Sequence, residues 1–375
     1  MDILKDKIVD SIRRNGPIPF ERFMEMSLYA PGLGYYMRDM QPVGRSGDFY
    51  TSSHLHPVFG ALLGRQIEEC WLALGNPSAF TVVEMGAGAG HLASDLLAYL
   101  SSRIIYGSMR YVIVERNPFV RSQQKKLLLP YGSRVNWIDT VEGLKEPVTG
   151  CFLSNELLDA FPVHLVQMNS VFEEVYVGEH KGDFVEVARV CTPEVANYLH
   201  EYASGLETSL QPGDRTEVNL QIWPWIESVA AKLTEGFVLT VDYGYPAEDY
   251  YCMERNRGTL LCYRGHVLCE NPYEHVGEQD ITAHVNFTSL KRWGEEIGLK
   301  SVGFCPQGPY LISLGIDEVL QELEPESDGF ASARIKNLIL PEGLGESHKV
   351  LMQYKGNRKL NLRGFALRNQ LKLLA

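Results

Sequence analysis

From residue 80 onward, short apolar runs alternate with amphipathic stretches, and this alternation limits the possible folds more than any other feature of the chain. "FTVVEMG" (80–86) reads as a buried strand and "HLASDLLAYL" (91–100) as a helix. "RYVIVERN" (110–117) and "FVRSQQKKLLL" (119–129) repeat the pair, and "VNWIDT" (135–140) is a short strand. "GCFLSNELLDAF" (150–161) is a strand running into a turn or helix, and "GFVLTVDYGYP" (236–246) is another buried strand. "HVNFTSLKRWGEEIGL" (284–299) predicts a helix, followed by strands in "KSVGFCPQ" (300–307) and "HKVLMQYKG" (348–356). Fully apolar strands separated by helices predict an α/β fold with a doubly wound, mostly parallel, Rossmann-like sheet.

Other segments flank or interrupt this rhythm. Residues 1–75 read as an N-terminal helical cap, with Leu4, Ile8 and Ile12 on one face of a first helix, a second helix opening near Pro19 and a third over 55–73. The core would comprise 76–164 and 236–355. An inserted substrate-side subdomain, 165–235, carries the hairpin pattern "EEVYVGEHKGDFVEVARV" and a helical "TPEVANYLHEYA". Residues 308–340 form a helical insertion within the core, and 356–375, which ends in "LNLRGFALRNQLKLLA" (360–375), an amphipathic C-terminal helix.

The first strand ends in "EMGAGAG", where glycine occupies every second position from Gly86 to Gly90. Such spacing lets backbone approach a ligand closely. A phosphate loop would need Lys and then Ser or Thr after the glycines, but His91, Leu92 and Ala93 follow. A dinucleotide fingerprint would need its third glycine at 91, where His91 stands. S-adenosylmethionine fits better, because its ammonium, ribose and adenine can each meet an acid at a strand end. Glu84 precedes the loop, Glu115 ends the second strand and Asp139 the third. The loop's N–H groups, with Gly86, Gly88 and Gly90, would face the ligand carboxylate. "GRSGDFYTSS" (44–53) would fold over the methionine end with Asp48, Thr51 and Ser52, or else cap the following helix.

A net charge of −12 disfavours a nucleic-acid partner and favours a basic one. Seven scattered cysteines, with no Cys-x-x-Cys, predict reduced thiols and no metal site. No apolar run of membrane-spanning length is present. The N-terminus resembles neither a secretion signal nor a transit peptide, which leads to an expected cytoplasmic location.

"GDFYTSS", "VVEMGAGAG", "LSNELLDAFPVH", "VDYGYP", "GTLLCYRGH" and "GEQDITAHVNF" occur in that order. Together they resemble the MidA-like family of class I methyltransferases, which includes the mitochondrial complex I assembly-factor protein arginine methyltransferases. The resemblance runs from about residue 15 to 355. It implies a class I methyltransferase core. For the eukaryotic members it implies symmetric dimethylation of a protein arginine, and it makes this chain look like a bacterial relative.

An arginine acceptor would call for carboxylates that grip the guanidinium and localise its charge. "NELLDAFP" supplies Asn155, which could also touch the cofactor, with Glu156 and Asp159, which share a face if the segment is helical. Tyr243, at the end of the fifth strand, is a candidate for the acceptor pocket, and His266 and His284 are candidates in loops after strands. Glu217 and Asn219, beside Trp223 and Trp225, could form part of a substrate groove. His54 and His56 lack a metal-binding companion and read as surface or packing residues. The expected partner is a basic or arginine-bearing protein segment, and a homodimer is possible. A small-molecule methyltransferase, a cofactor-binding assembly factor without turnover and, last, a nicotinamide oxidoreductase are the competing readings.

Overall fold

The computed structural model describes residues 3–39, 55–206, 210–265, 267–323 and 329–375, and the side chains of these except 329–332. Helices α1 (Ile3–Asn15), α2 (Phe20–Tyr29) and α3 (Val58–Ala73) come first. Strand β1 (Phe80–Met85), helix α4 (His91–Leu100), β2 (Met109–Val114), α5 (Pro118–Leu127), β3 (Val135–Ile138) and β4 (Val148–Asn155) follow. After the insertion come α6 (Ile222–Ala231), β5 (Leu233–Tyr245), α7 (Phe287–Glu296), β6 (Lys300–Pro306) and β7 (His348–Lys355).

The central strands lie in the order β3-β2-β1-β4-β5-β7-β6, and the two-residue strand Val285–Asn286 pairs with the end of β5. The first five strands in chain order run parallel to one another. β7 runs antiparallel between β5 and β6. Helices α3 and α4 cover one face and α6 and α7 the other, each with its own apolar core. The strand order reverses between β1 and β4. In such sheets the crevice for a ligand opens beyond the carboxyl ends of the strands at that switch point.

Local chemistry sets the helix starts. Asn117 caps α5 by accepting from Phe119 N at 2.9 Å, and Pro118 occupies the first turn. Asn286 caps α7 in the same way, accepting from Thr288 N at 3.0 Å. Each such cap is worth about 1 kcal/mol.

The insertion builds a second sheet, in the order Ile18–Pro19, Phe172–His180, His164–Met168 and Arg215–Val218, with Asp183–Val190 on Phe172–His180. The expected hairpin turns through Lys181 (φ 53°) and Gly182 (φ 91°), the pair of positive φ values that a two-residue hairpin turn uses. Helices α1 and α2 pack on this sheet through Leu4, Ile8, Phe20 and Phe23, whereas α3 packs on the central sheet. The 308–340 segment is helical at Gln307–Ser313, Ile316–Leu323 and Gly329–Ile339. The C-terminal segment is not the expected amphipathic helix. It contains two short 3-10 turns, Arg363–Phe365 and Leu371–Leu374. Its polar groups bond to β6 instead: Gln370 N donates to Phe304 O at 2.6 Å, and Asn369 Oδ1 accepts from Phe304 N at 3.3 Å. All seven cysteines are free thiols. No helix among the described residues is long and apolar enough to cross a membrane.

β1, β4 and β5 approach closely at one level. A Cβ on Gly150 would lie 1.8 Å from Thr81 O, and one on Gly236 would lie 2.0 Å from Gly150 O. Gly150→Ala is therefore expected to lower stability by about 3 kcal/mol in urea unfolding. Gly107→Ala, whose Cβ would meet nothing within 4 Å, serves as the control and should stay within about 0.5 kcal/mol of wild type.

Candidate functional site

The carboxyl ends of β1, β2 and β4 open into a cavity of about 520 Å³. Among the described residues its charged lining is Glu21, Glu25, Glu84, Glu115, Glu142 and Glu156 against Arg116. The glycine loop forms one wall, and Gly86, Gly88 and Gly90 all have left-handed backbones, with φ 71°, 51° and 88°. They serve different ends. A Cβ on Gly86 would meet Leu157 Cδ1 at 2.8 Å, whereas one on Gly88 would enter open space. Gly90 begins α4.

Glu84 is buried and accepts from Tyr111 OH at 2.7 Å. Burial pushes its carboxyl up to about 7, with the Tyr111 bond opposing the shift. Glu115 accepts from Asn117 N at 2.7 Å and from Gln124 Nε2 at 3.3 Å, and burial raises it too. The Gln124 amide also donates to Gly88 O at 2.8 Å and accepts from Trp137 Nε1 at 3.0 Å, so it ties together the ends of β1, β2 and β3. Asn117 Nδ2 donates to Tyr36 O and Arg38 O, both at 2.9 Å, and so fastens the segment that brings Tyr36 and Met37 to the cavity.

Asp139 is not among the lining residues. Its side chain is 77% exposed and pairs with Arg121. The residues after it, Thr140, Val141 and Glu142, line the cavity instead. Ser228 Oγ donates to Glu142 at 2.6 Å, and this bond, followed by one from Thr140, holds the Glu142 carboxyl down at about 2.

The turn after β4 is not helical, so the shared helical face expected for Glu156 and Asp159 does not exist. Glu156 has φ 49°, a left-handed backbone that an ordinary residue adopts only when its surroundings force it. Asp242, fully buried at the end of β5, supplies the constraint by accepting from Leu157 N at 3.1 Å and Leu158 N at 2.9 Å. Asn155 and Glu156 line the cavity, and Asn155 Oδ1 is buried without a hydrogen-bond partner. Asp159 and Tyr243 sit one layer behind, where the Tyr243 hydroxyl donates to Asp159. Burial raises Asp159 to about 7, and burial together with Asp159 raises Asp242. The Tyr243 ring packs between His284, at 5.2 Å, and His348, at 5.4 Å. Partial burial of His284 lowers it to about 4.

Asp48, Thr51, Ser52, His54 and His266 lie outside the described residues. Glu217 does not reach the cavity. It is buried and accepts from Thr259 N and Thr259 Oγ1 at 3.0 Å, Leu260 N at 3.2 Å and Tyr250 OH at 3.2 Å. Asn219 braces the turn after β4 through Leu158 O at 3.2 Å. Trp223 packs edge-on against Trp293, whereas Trp225 lines the cavity and packs against Phe161. His56 is a buried packing residue whose Nδ1 accepts from Val58 N at 3.1 Å.

A family model described as "Putative S-adenosyl-L-methionine-dependent methyltransferase" matches residues 62–305. A solved structure from Burkholderia thailandensis, bound to S-adenosyl-homocysteine, is 32% identical, with a TM-score of 0.89 over 98% of this chain and 95% of that one. The chain belongs to the MidA-like family of class I S-adenosylmethionine-dependent methyltransferases. Among curated proteins, the mitochondrial protein arginine methyltransferase NDUFAF7 homolog of Drosophila melanogaster is 28% identical over 92% of this chain and 83% of its own length. NDUFAF7 of Homo sapiens is 27% identical over 84% and 74%.

The methyltransferase's cavity fits this cofactor on its own chemistry. S-adenosylmethionine supplies a methyl carbon activated by a sulfonium, and it carries an ammonium, a carboxylate and a ribose diol. The open space beside Gly88 and the unpartnered Asn155 Oδ1 leave room and polarity for such a ligand. Gly88→Val would put a branched side chain into that space. It should abolish S-adenosylmethionine binding in calorimetric titration while leaving the far-ultraviolet dichroism unchanged.

Proposed function

We propose that this methyltransferase modifies an arginine of a protein substrate. The observation that carries the reading is the carboxylate-rich cavity, in which Glu156 stands at the end of β4 and no lysine or histidine joins the lining among the described residues. A cationic guanidinium suits that field, and a carboxylate held in fixed orientation localises its charge away from the attacking nitrogen. The names of the mitochondrial relatives support the same acceptor.

In this reading Glu156 grips the acceptor, Asn155 touches both acceptor and cofactor, and Asp159 with Tyr243 positions the turn from behind. The glycine-loop N–H groups hold the cofactor carboxylate, Glu84 and Asn155 its ammonium, and Glu115 its ribose hydroxyls. The adenine lies along Thr140–Glu142 and not at Asp139. Phe161 and Trp225 flank the acceptor with apolar surface. Catalysis is mostly alignment of nucleophile and methyl carbon.

Incubation with tritiated S-adenosylmethionine and an extract from cells lacking the protein tests the acceptor. Wild type should label protein, with methylarginine released on hydrolysis. Glu156→Gln should lose at least about a hundredfold in rate and keep its cofactor affinity. Label confined to small molecules, or methylation of a residue other than arginine, would overturn the arginine reading.

Glu84 gives a second check. Its carboxyl, raised to about 7, holds a proton at pH 6 in the free protein. A cation bound beside it favours the ionised form, so binding expels that proton. Cofactor affinity should therefore rise from pH 6 to pH 8, by up to about tenfold per unit below the raised value. In Glu84→Gln this rise should disappear.

A further inference from the structure

Methylation of a nitrogen leaves one proton to remove. The nitrogen lone pair forms the new N–C bond, the C–S bonding pair stays on sulfur, and the N–H proton must go to a base. Arg116, the cation of the lining, cannot take it. Directly behind Glu156 lies a base that can. His348, the first residue of β7, places Nε2 3.6 Å from Glu156 Oε1.

The hydrogen bonds of Ser347 favour one tautomer of His348. Ser347 Oγ donates to Gly343 O at 3.4 Å, so the same oxygen is left to accept from His348 Nδ1, 3.1 Å away. With the hydrogen on Nδ1, Nε2 presents a lone pair toward Glu156. This Nε2 is buried and makes no hydrogen bond. A buried, unpartnered imidazole nitrogen 3.6 Å from a carboxylate oxygen at the cavity wall is placed to take a proton from it. Asn155 Nδ2 donates to the same Glu156 oxygen at 3.3 Å, which orients the carboxylate without supplying a removable proton. Beyond the ring the way out is short, because Ser347 is exposed.

We propose that His348 is the proton outlet of the active site, taking through Glu156 the proton that the acceptor nitrogen loses and passing it by Nδ1 to Ser347 and solvent. The proposal rests on the reading of Glu156 as the acceptor's partner. The transfers balance: nitrogen to Glu156 Oε1, Oε1 to Nε2, then Nδ1–H to the Ser347 oxygen, whose own hydrogen leaves to water; once the products leave, Nε2 gives its proton to water in the emptied cavity as Nδ1 regains one from the Ser347 side, which restores the starting tautomer. The groups around the ring come from four elements. They are Glu156 and Asp159 from the turn after β4, Tyr243 and Asp242 from β5, His284 from the segment before α7, and Ser347 and Lys349 beside it in sequence. Since His348 acts through Glu156, it is a positioning and relay residue.

Two measurements test it, the first without any acceptor. A double-mutant cycle of Glu156→Gln and His348→Gln is read by thermal unfolding of the S-adenosylhomocysteine complex at pH 6 and pH 8.5. A proton shared between the two side chains predicts a double-mutant loss smaller than the sum of the single losses, by a margin that shrinks as the pH rises. Additive losses at both values overturn the proposal. His348→Asn replaces His348→Gln if the latter fails to fold.

The second measurement is turnover with the labelled extract. His348→Ala should lose at least about tenfold in rate with unchanged cofactor affinity, and added imidazole should restore part of it. A rate within about twofold of wild type, or a loss that imidazole leaves unrepaired, overturns the relay. If wild type labels no protein, the arginine reading falls, and the thermal cycle still decides whether Glu156 and His348 share a proton.

Discussion

Asp242 fixes the geometry on which the site depends. A carboxylate with no exposure stands at the end of β5 and receives the N–H groups of Leu157 and Leu158 from the turn after the neighbouring strand. Those two bonds let the chain leave β4 through a left-handed Glu156 and not through a helix. The turn then carries Asp159 inward to Tyr243 and leaves Glu156 at the cavity wall. Burial of a carboxylate is costly, and here the backbone donors offset that cost by satisfying its oxygens. Asn219 adds a further bond to the same turn from the inserted segment. The insertion is thus coupled to the core where the acceptor would lie.

The two halves of the cavity are built by different means. On the cofactor side the constraint is backbone shape: three left-handed glycines, one pressed against Leu157, one facing open space and one starting α4. On the side proposed for the acceptor it is side-chain chemistry brought from distant parts of the chain, including Glu21 and Glu25 from α2 and Trp225 from α6. The first half recurs wherever a parallel sheet reverses its strand order. The second depends on how the N-terminal helices and the insertion pack together.

This difference explains what could be read from the sequence. The alternation of strands and helices predicted the sheet because strands buried on both faces must be apolar throughout. Glu84 and Glu115 reach the cavity as their place near strand ends implies. Asp139 does not, because β3 ends one residue earlier and Arg121, one turn into α5, draws its carboxylate outward. Glu217 looked like a groove residue, yet its donors lie more than forty positions away at Thr259 and Leu260, beyond any local pattern. His348 could not be singled out either. Its partner Glu156 is far off in sequence, and only the antiparallel β7 brings the two together. The C-terminal segment has helical periodicity, but its bonds to β6 win over a helix that would have stood alone.

Gln124 shows how narrow the choice of residue can be at a junction. Its amide gives two hydrogens, to the Gly88 carbonyl and the Glu115 carboxylate, and takes one from Trp137. Glutamate matches it in shape and lies a single base change away in the genetic code. Yet glutamate would keep only the bond from Trp137. It would turn a charge toward a carbonyl and another carboxylate, both of which need a donor. At this position a substitution matched in size and a single base change away is poorly tolerated, so drift here is confined by the polarity of one amide and not by its size.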